Sequence, residues 1–244
     1  MNIQEKRQYL NENASLVPEA ERKSFDFNFA CVLTKNSVGM ESGVMAALEE
    51  VVSIVKGYNI KQDENLKRSV YNFYKAYEMV LDYLKEDRNR PLTEEFLKDL
   101  HARLVKHLED FGGLYRNVNI RIKGSQHTPC DHIKVYDRMK KYFNDVEDPN
   151  KSDFENIAYA HLQLAKIHPF IDGNGRLARL ILNFFLIKYG YLPISIPAKR
   201  RLEYFDLLEE FKVNKNPVPF ENFLVELVNR EYDRMIEVVD KYKK

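Results

Sequence analysis

The sequence predicts an all-α fold with one short β-hairpin. Apolar residues recur at helical spacing in several long segments, the pattern of helices that bury one face. The nine glycines and nine prolines are confined to a few joints between those segments. Only the stretch from Gly112 to Val135 differs, because VNIRI and IKV around a polar turn are typical of short strands.

Three helices are predicted before the hairpin. The first covers Ser37–Lys56, and Gly57 is its natural stop. The second covers Leu66–Glu86 and carries one apolar stripe, formed by Val70, Phe73, Tyr77, Val80, Leu81 and Leu84. Thr93 caps the third, which runs to Asp110 and starts with acidic residues that suit the positive end of a helix dipole.

Four more helices are predicted after the hairpin, at 154–167, 176–188, 201–211 and from Phe220 onward. The second of these is apolar nearly all round, so we expect it to be buried. The resulting division is an N-terminal helical region at 1–91, a core at 92–211 with the hairpin at about 117–136, and a C-terminal helix packed on that core at 212–244.

Composition excludes several classes of partner. The formal net charge is +1, so no overall field draws the chain to nucleic acid or to an anionic membrane, and neither is expected as a partner. No run is long enough to span a bilayer, and the polar first residues lack the apolar core of a signal peptide. Cys31 and Cys130 suggest no disulfide framework. We therefore expect a cytoplasmic protein.

The segment His168–Arg176, HPFIDGNGR, concentrates chemical groups in one turn. Pro169 cannot continue the helix before it, which places His168 at the last turn of that helix. The next polar residues, 172–175, are turn formers that tolerate positive φ and expose successive backbone N–H groups. A loop of this kind that leads into a helix forms an anion-binding site.

Arg176 and Arg179 share one face of the following helix with Asn183. Cations in the first turns of a buried helix lie at the wrong end of its dipole and are costly to bury unpaired. An anion is therefore expected to meet them, and a polyphosphate fits. The structural alternative is that Asp172 only caps the helix and Arg176 pairs with an internal carboxylate.

HPFIDGNGRLAR resembles the signature of the Fic family, H-x-F-x-[D/E]-G-N-G-R-x-x-R, at every defining position. The resemblance covers about Leu92–Phe211. It implies a Fic-type helical bundle and a protein adenylyltransferase, which transfers AMP from ATP to a Ser, Thr or Tyr hydroxyl of a target protein and releases pyrophosphate.

The resemblance also implies roles for single residues. His168 is the expected base for the hydroxyl proton, and Asp172 the expected ligand of a Mg²⁺ ion shared with the phosphates. The implied nucleotide-binding residues are Gly173, Asn174 and Gly175 around the phosphates, Arg176 and Arg179 on the β- and γ-phosphates, and Tyr204 beside the adenine. Tyr204 has the alternative of a core residue.

Two further features follow from the resemblance. Kinase-like relatives of the death-on-curing type depart from the glycine-rich core GNGR, which is intact here, so nucleotidyl transfer is favoured over phosphoryl transfer. The hairpin resembles a flap that pairs with an extended segment of the target, the alternative being an ordinary edge hairpin. Self-modification and homo-oligomer formation are also implied, and the C-terminal helix is amphipathic enough for the latter.

Residues 36–42, NSVGMES, resemble the inhibitory-helix motif of the family, [S/T]-x-x-x-E-[G/N]. Ser37 and Glu41 match, whereas Ser42 departs from the motif. The resemblance implies that Glu41 pairs with Arg179 and keeps ATP from seating its γ-phosphate productively. The alternative is that Asn36 or Ser37 caps a helix and Glu41 complements its dipole.

Other functions remain open at this stage. Glu41 could orient a water for the reverse reaction, removal of AMP, and the same site could serve another nucleotidyl transfer or a nucleotide-binding module without turnover. A metal site at His127, Cys130 and His132 is disfavoured because no second ligand pair follows at zinc-like spacing. A metallohydrolase built on His161 and His168 is disfavoured because the two arginines beside them repel a cation.

Overall fold

The computed structural model describes residues 1–243, without the side chain of Ser42; Lys244, the last residue of the predicted C-terminal region, lies outside the described residues. The ten α-helices found in this part are α1 (Ile3–Asn13), α2 (Glu19–Ser42), α3 (Leu48–Val55), α4 (Glu64–Glu86), α5 (Glu94–Val105), α6 (Val135–Asp145), α7 (Asp153–Ile167), α8 (Asn174–Lys188), α9 (Arg201–Glu209) and α10 (Val218–Asp240). The predicted all-α class is confirmed. None of the described helices is both long and apolar enough to cross a membrane.

Helix α8 is the centre of the fold. It packs along α7 and also contacts α2, α4 and α5. Its apolar side chains from Leu177 to Leu186 are completely buried, which confirms the predicted buried helix. Because α8 is enclosed on all sides, its first turn is reached only from the loop that precedes it.

The predicted helix over 37–56 is wrong in its bounds. Gly43 adopts the left-handed conformation with φ 70° and ends α2, and α3 begins only at Leu48. Ser37 therefore lies inside a long helix with 1% of its surface exposed, so it is not a cap. Glu41 lies near the C-terminal, negative end of α2, where a carboxylate does not complement the dipole.

The predicted β-hairpin is not formed in the described residues, where no strand is found. The segment between α5 and α6 is an irregular loop, which we call the flap (residues 117–131). Hydrogen bonds to side chains hold the flap in place of the backbone hydrogen bonds of a strand pair. Asn119 bonds to His132, and Glu209 accepts hydrogen bonds from Ser125 and Gln126. A lone two-stranded hairpin is marginal in water, which explains why alternation alone did not produce one.

Several boundaries were missed by periodicity. Helix α1 is short and has no clear apolar stripe, whereas α6 was missed although Val135, Met139 and Tyr142 form a buried stripe at helical spacing. Helix α5 ends at Val105 rather than Asp110, since His107 turns the chain with a φ of 60°. The helix α9 continues into a π-helical turn, Glu210–Asn214, that packs against α7.

Candidate active site

The loop between α7 and α8 is shaped by two left-handed residues. His168 ends α7 with φ 54° and ψ 61°, and its N–H still bonds to Leu164 O at 3.0 Å. Gly173 starts α8 with φ 76°, and a Cβ there would lie 3.1 Å from Val105 Cγ1. A side chain at 173 is therefore excluded by backbone conformation and by packing together. The two turns bring the His168 side chain beside the N-terminus of α8.

Asn174 closes this loop rather than facing outward. Its amide accepts from Phe170 N and donates to Phe170 O, both at 2.9 Å, and the residue is 2% exposed. One N–H and one lone pair of the amide are occupied by these bonds, and the contact of Asn174 with the phosphates stays a prediction. The group that Asn174 leaves for an anion is its backbone N–H at the start of the helix.

The imidazole of His168 is neutral and has one ring nitrogen with a free lone pair, as a general base requires. Its Nδ1 lies 3.3 Å from Ala165 O, and because a carbonyl only accepts, Nδ1 carries the proton and Nε2 keeps its lone pair. Burial lowers the pKa of His168 to about 4, and the charges of Lys212 and Arg116 act in the same direction. The side chain is therefore neutral near pH 7.

Two buried guanidinium groups follow on α8. Arg176 donates to the Asp172 carboxylate at 2.9 Å and is 6% exposed, but its Nε–H has no partner. Arg179 is 2% exposed, and its Nη1 group also has no partner. Buried donors are nearly always paired in folded proteins, so two open donors at one helix end indicate a site for an anion.

The end of α2 lies across this site. Arg179 Nε donates to Ser37 Oγ at 2.6 Å, and its Nη2 donates to Ser37 O and to Glu41 Oε1, both at 2.8 Å. The ion pair between Glu41 and Arg179 that the motif predicts is thus present. Glu41 Oε1 also covers Gly175, since a Cβ at that glycine would lie 2.1 Å from it.

Asp172 is an exposed member of the loop, with 59% of its side chain accessible. No group of three or more metal-binding side chains occurs in the part of the chain described. Mg²⁺ does not need one, because it is commonly held by one or two carboxylates, waters and the phosphates of a substrate. An accessible carboxylate beside an anion site fits that mode of binding.

His101 is a functional residue that sequence reasoning missed. Its Nδ1 accepts from Gly113 N and its Nε2 donates to Asp172 O, each at 2.9 Å, while its ring stacks on Phe170 at 3.6 Å. Burial lowers the pKa of His101 to about 4, which keeps Nδ1 free to accept. His101 fixes the Asp172 backbone, and no signal in LHARL distinguished it from a packed helix residue.

Arg116 is a second missed residue, at the entrance to the flap. It is 3% exposed and donates to three carbonyls: Nε to His168 O at 2.9 Å, Nη1 to Val118 O at 3.0 Å, and Nη2 to Cys130 O. Its own N–H bonds to Pro169 O. One side chain therefore ties both ends of the flap to the backbone of the candidate base.

Tyr204 lies under the site, in the core. It is 1% exposed and its hydroxyl donates to His161 Nε2 at 2.9 Å, while His161 Nδ1 donates to Ala178 O. Because the ring is enclosed in this arrangement, the contact between Tyr204 and an adenine stays a prediction. The alternative given by helical spacing, a core tyrosine, is what the structure shows, with Arg179 Cζ 6.0 Å from the ring centre.

The disfavoured metal sites are not assembled. His127 Nε2 bonds to Lys166 O, and His132 bonds to Asn119. Cys130 is engaged by Arg116. The three side chains of HTPCDH thus have separate partners.

The described chain is thus a helical bundle in which two buried arginines with unpartnered donors and a neutral histidine lie around one loop. Residues 91–186 match the model of the Fic/DOC family. This part of the chain is thus similar to the Fic/DOC family. The match contains His168, Asp172 and both arginines.

Curated relatives are similar at modest identity. The protein adenylyltransferase Fic of Drosophila persimilis is 26% identical over 229 residues, which is 92% of this chain and 43% of that protein. Its namesake in Drosophila melanogaster is 26% identical over 203 residues, 81% of this chain and 40% of that protein. The chain spans less than half the length of these relatives.

Solved structures share the fold. A Fic-domain-containing signaling protein from Bacteroides thetaiotaomicron superposes with a TM-score of 0.83 at 21% identity and covers 97% of this chain and 98% of its own. Fic-1 from C. elegans gives a TM-score of 0.83 at 20% identity, covering 98% of this chain and 71% of its own.

Proposed function

We propose that the chain is a protein adenylyltransferase that moves AMP from ATP to a Ser, Thr or Tyr hydroxyl of a target protein. The observation that carries this proposal is the pair of open, buried donors, Arg176 Nε and Arg179 Nη1, beside a neutral His168. A triphosphate supplies the anion that these donors lack, and the histidine supplies the base. The names of the curated relatives support the same activity.

The transfer follows from the positions of these groups. His168 Nε2 takes the proton as the target oxygen attacks the α-phosphorus. A new oxygen–phosphorus bond forms, the bond to the bridging oxygen of the β-phosphate breaks, and pyrophosphate leaves. The arginines and the N–H groups of the first turn of α8 hold the charge of the phosphates, so catalysis comes mainly from position and charge.

Asp172 is the proposed Mg²⁺ ligand. Its exposed carboxylate faces the same helix end as Arg176, so one ion can be shared between this side chain and the phosphates. When bound, the ion would neutralise phosphate charge. His101 holds the Asp172 backbone in place for this purpose.

Autoinhibition is proposed for the end of α2. The Glu41 carboxylate lies over Gly175 and on Arg179, so it takes the place of an anion at the N-terminus of α8. Glu41 retains 40% exposure of its side chain against 2% for Arg179, so the pair opens from the Glu41 side. While the pair is closed, a γ-phosphate meets a carboxylate of like charge instead of a free guanidinium.

The flap is the proposed docking edge for the target. Residues 119–121 have no backbone–backbone hydrogen bond within the described structure, and Asn119 and Arg121 are exposed. An extended segment of a partner can add to such an unpaired edge. The fixed distance between Arg116 and His168 O then holds the docked segment beside the base.

Labelled ATP tests the proposal. The Glu41→Gly chain is incubated with Mg²⁺ and with ATP labelled at the α- or the γ-phosphate, and protein-bound label is counted. Nucleotidyl transfer leaves only the α label, on the chain itself or on an added target; His168→Ala in the same background should leave none. Label from γ alone indicates a kinase and contradicts the proposal, as does ATP binding without transfer.

Removal of AMP is a second candidate reaction. It is supported by the position of the Glu41 carboxylate, which lies at the helix end where the phosphates would bind. A chain that already carries labelled AMP is incubated without ATP. Release of AMP that requires Glu41 would assign removal of AMP to this site.

A further inference from the structure

The flap and the helix ends beside it form a cationic surface, which we call the basic rim (Arg121, Lys123, Arg138, Lys166 and Lys215). None of these side chains takes part in an ion pair with another described residue. In a chain with 38 basic and 37 acidic residues, five unpaired cations at one entrance are a local excess of charge.

Three members of the basic rim, Arg138, Lys166 and Lys215, lie in one neighbourhood, and the flap that carries the other two reaches it. The flap reaches the end of α7 where His127 Nε2 bonds to Lys166 O at 3.1 Å. Burial lowers the pKa of Lys166, and the nearby charges of Lys215 and Arg138 lower it further, which shows that these cations repel one another. Such repulsion is relieved when an anion binds.

Three acids near the flap have partners outside the basic rim. Glu209 accepts from Ser125, from Gln126 and from Lys212. Glu210 accepts from two asparagines of the π-helical turn and its exit, and Asp131 accepts from Asn119 and Ile133. None of these three carboxylates forms an ion pair with a described member of the basic rim.

The flap exposes both of its cations. Asn119, Arg121 and Lys123 are exposed, while Ile120 and Ile122 are half-buried. Arg121 is one of the residues whose backbone is unpaired, and Lys123 lies in the turn that Ser125 N closes on Ile122 O. An extended partner beside residues 119–121 would therefore meet the Arg121 side chain, with Lys123 at the end of the paired segment.

We infer that the target segment carries Asp or Glu side chains on both sides of its acceptor hydroxyl, matched to Arg121 and Lys123 on the flap and to the other cations of the basic rim. The occupant is an extended acidic peptide because two exposed cations without an ion pair, Arg121 and Lys123, lie at the unpaired backbone edge of the flap, and unlike charges across paired segments stabilise the pair. This inference rests on the proposed adenylyltransferase function and names the substrate class of the same site.

Binding of short synthetic peptides tests the inference without catalysis. Each peptide has a central Tyr, Thr or Ser and either Glu, Gln or Lys at the neighbouring alternate positions. Anisotropy is measured on the full chain with Glu41→Gly and His168→Ala, at low and high salt. The Glu peptides should bind about tenfold more tightly than the Gln peptides, and salt should remove the difference. Equal binding of the Glu, Gln and Lys peptides would overturn the inference.

Charge reversal locates the effect. Arg121→Glu with Lys123→Glu should reverse the order, so that the Lys peptides bind best. The matched control, Lys61→Glu with Lys241→Glu, changes the net charge equally at two exposed lysines off the flap and should keep the original order. If the control reverses the order as well, the preference belongs to net charge, and the inference fails.

Transfer of AMP to the same peptides, with His168 present, separates the two proposals. No label on any peptide or on the chain would reject the adenylyltransferase function even if the Glu peptides bind. Label at equal rates on Glu, Gln and Lys peptides would support that function and reject the acidic preference.

Discussion

The Glu41 carboxylate lies in contact with the backbone of Gly175, so closely that a Cβ at residue 175 would be 2.1 Å from Glu41 Oε1. The carboxylate is held there by Arg179, whose guanidinium is buried and donates to it at 2.8 Å. A carboxylate of the chain thus occupies the helix end at which backbone N–H groups are free to bind an anion. The relation between these two residues determines which anion can bind.

Removal of this carboxylate is expected to activate the chain. Glu41→Gly frees Arg179 and the first turn of α8, so AMP transfer should rise by roughly tenfold or more, and ATP should bind more tightly, as expected for loss of a coupling of a few kcal/mol. The measurement is α-labelled transfer together with calorimetric ATP binding.

The control for this change is Glu21→Gly, which introduces the same glycine in the exposed first turn of α2. It should leave transfer unchanged. A Glu41→Gly chain with the activity of the wild type would mean that the ion pair has only a structural role.

A methyl group at residue 175 is expected to separate stability from nucleotide binding. In the Glu41→Gly background the nearest group to an added Cβ is Arg179 Nη1, at 3.3 Å, so Gly175→Ala fits the fold. Alanine inside a helix is favoured over glycine by about 0.5–1 kcal/mol, so the melting temperature should not fall. ATP affinity should drop by roughly tenfold, because the methyl group occupies the space of the phosphate.

The readouts for Gly175→Ala are the melting temperature and ATP binding on the same preparation. Unchanged affinity with unchanged stability would show that the phosphates lie elsewhere. A large loss of stability would show that the first turn of α8 is tighter than the distances indicate.

The sequence predicted the site better than its surroundings, for physical reasons. The loop from His168 to Arg176 is specified by residues that tolerate few other conformations, so its turn and its charges could be read locally. Arg116 and His101 were missed because their roles are contacts with backbone carbonyls far along the chain. A local sequence pattern does not show which distant residues a side chain will contact.

Sequence patterns could not give the environment of single side chains where burial decides. Tyr204 has the spacing of a core residue and of a pocket residue alike, and only the packing of α9 shows that its hydroxyl bonds to His161. The bonds of the Asn174 amide to Phe170 could not be read from the sequence either. The predicted bounds of the helix over 37–56 were wrong because apolar residues continue at helical spacing beyond Gly43, the residue that ends α2.

Arg116 is expected to be a positioning residue. Arg116→Lys keeps the charge but loses the fork that reaches His168 O, Val118 O and Cys130 O together. Turnover should fall by about 10- to 100-fold while the KM for ATP changes little, because Arg116 contacts the base and the flap and not the phosphate donors. Steady-state kinetics in the Glu41→Gly background measure the turnover number and the KM for ATP separately.

Arg234→Lys is the matched control, since Arg234 pairs with Glu231 on the exposed face of α10. It should change neither parameter. Equal loss of turnover and of ATP affinity in Arg116→Lys would show a general loss of structure.

The stability of the fold should fall as the pH is lowered from 7 to 5. His101 and His161 are buried and neutral, and burial lowers the pKa of His101 to about 4 and that of His161 to about 3, against an ordinary value near 6.5. Between the folded and the unfolded pKa, the unfolded chain binds protons that the folded chain does not. The stabilisation is therefore complete above about pH 6.5 and is lost as the pH falls toward the folded values.

Each of the two histidines should cost on the order of 2 kcal/mol by pH 5, since one pKa unit corresponds to about 1.4 kcal/mol. Urea unfolding at pH 7 and pH 5 measures the slope. His168, whose pKa burial also lowers to about 4, contributes to the slope beside His101 and His161, so His101→Gln should reduce it by roughly a third. His107→Gln, at an exposed histidine after α5, is the control and should leave the slope unchanged. The same slope in the wild type, His101→Gln and His107→Gln would contradict this prediction. It would mean that His101 can be protonated on both ring nitrogens in the folded chain, although its Nδ1 accepts from Gly113 N and its Nε2 donates to Asp172 O.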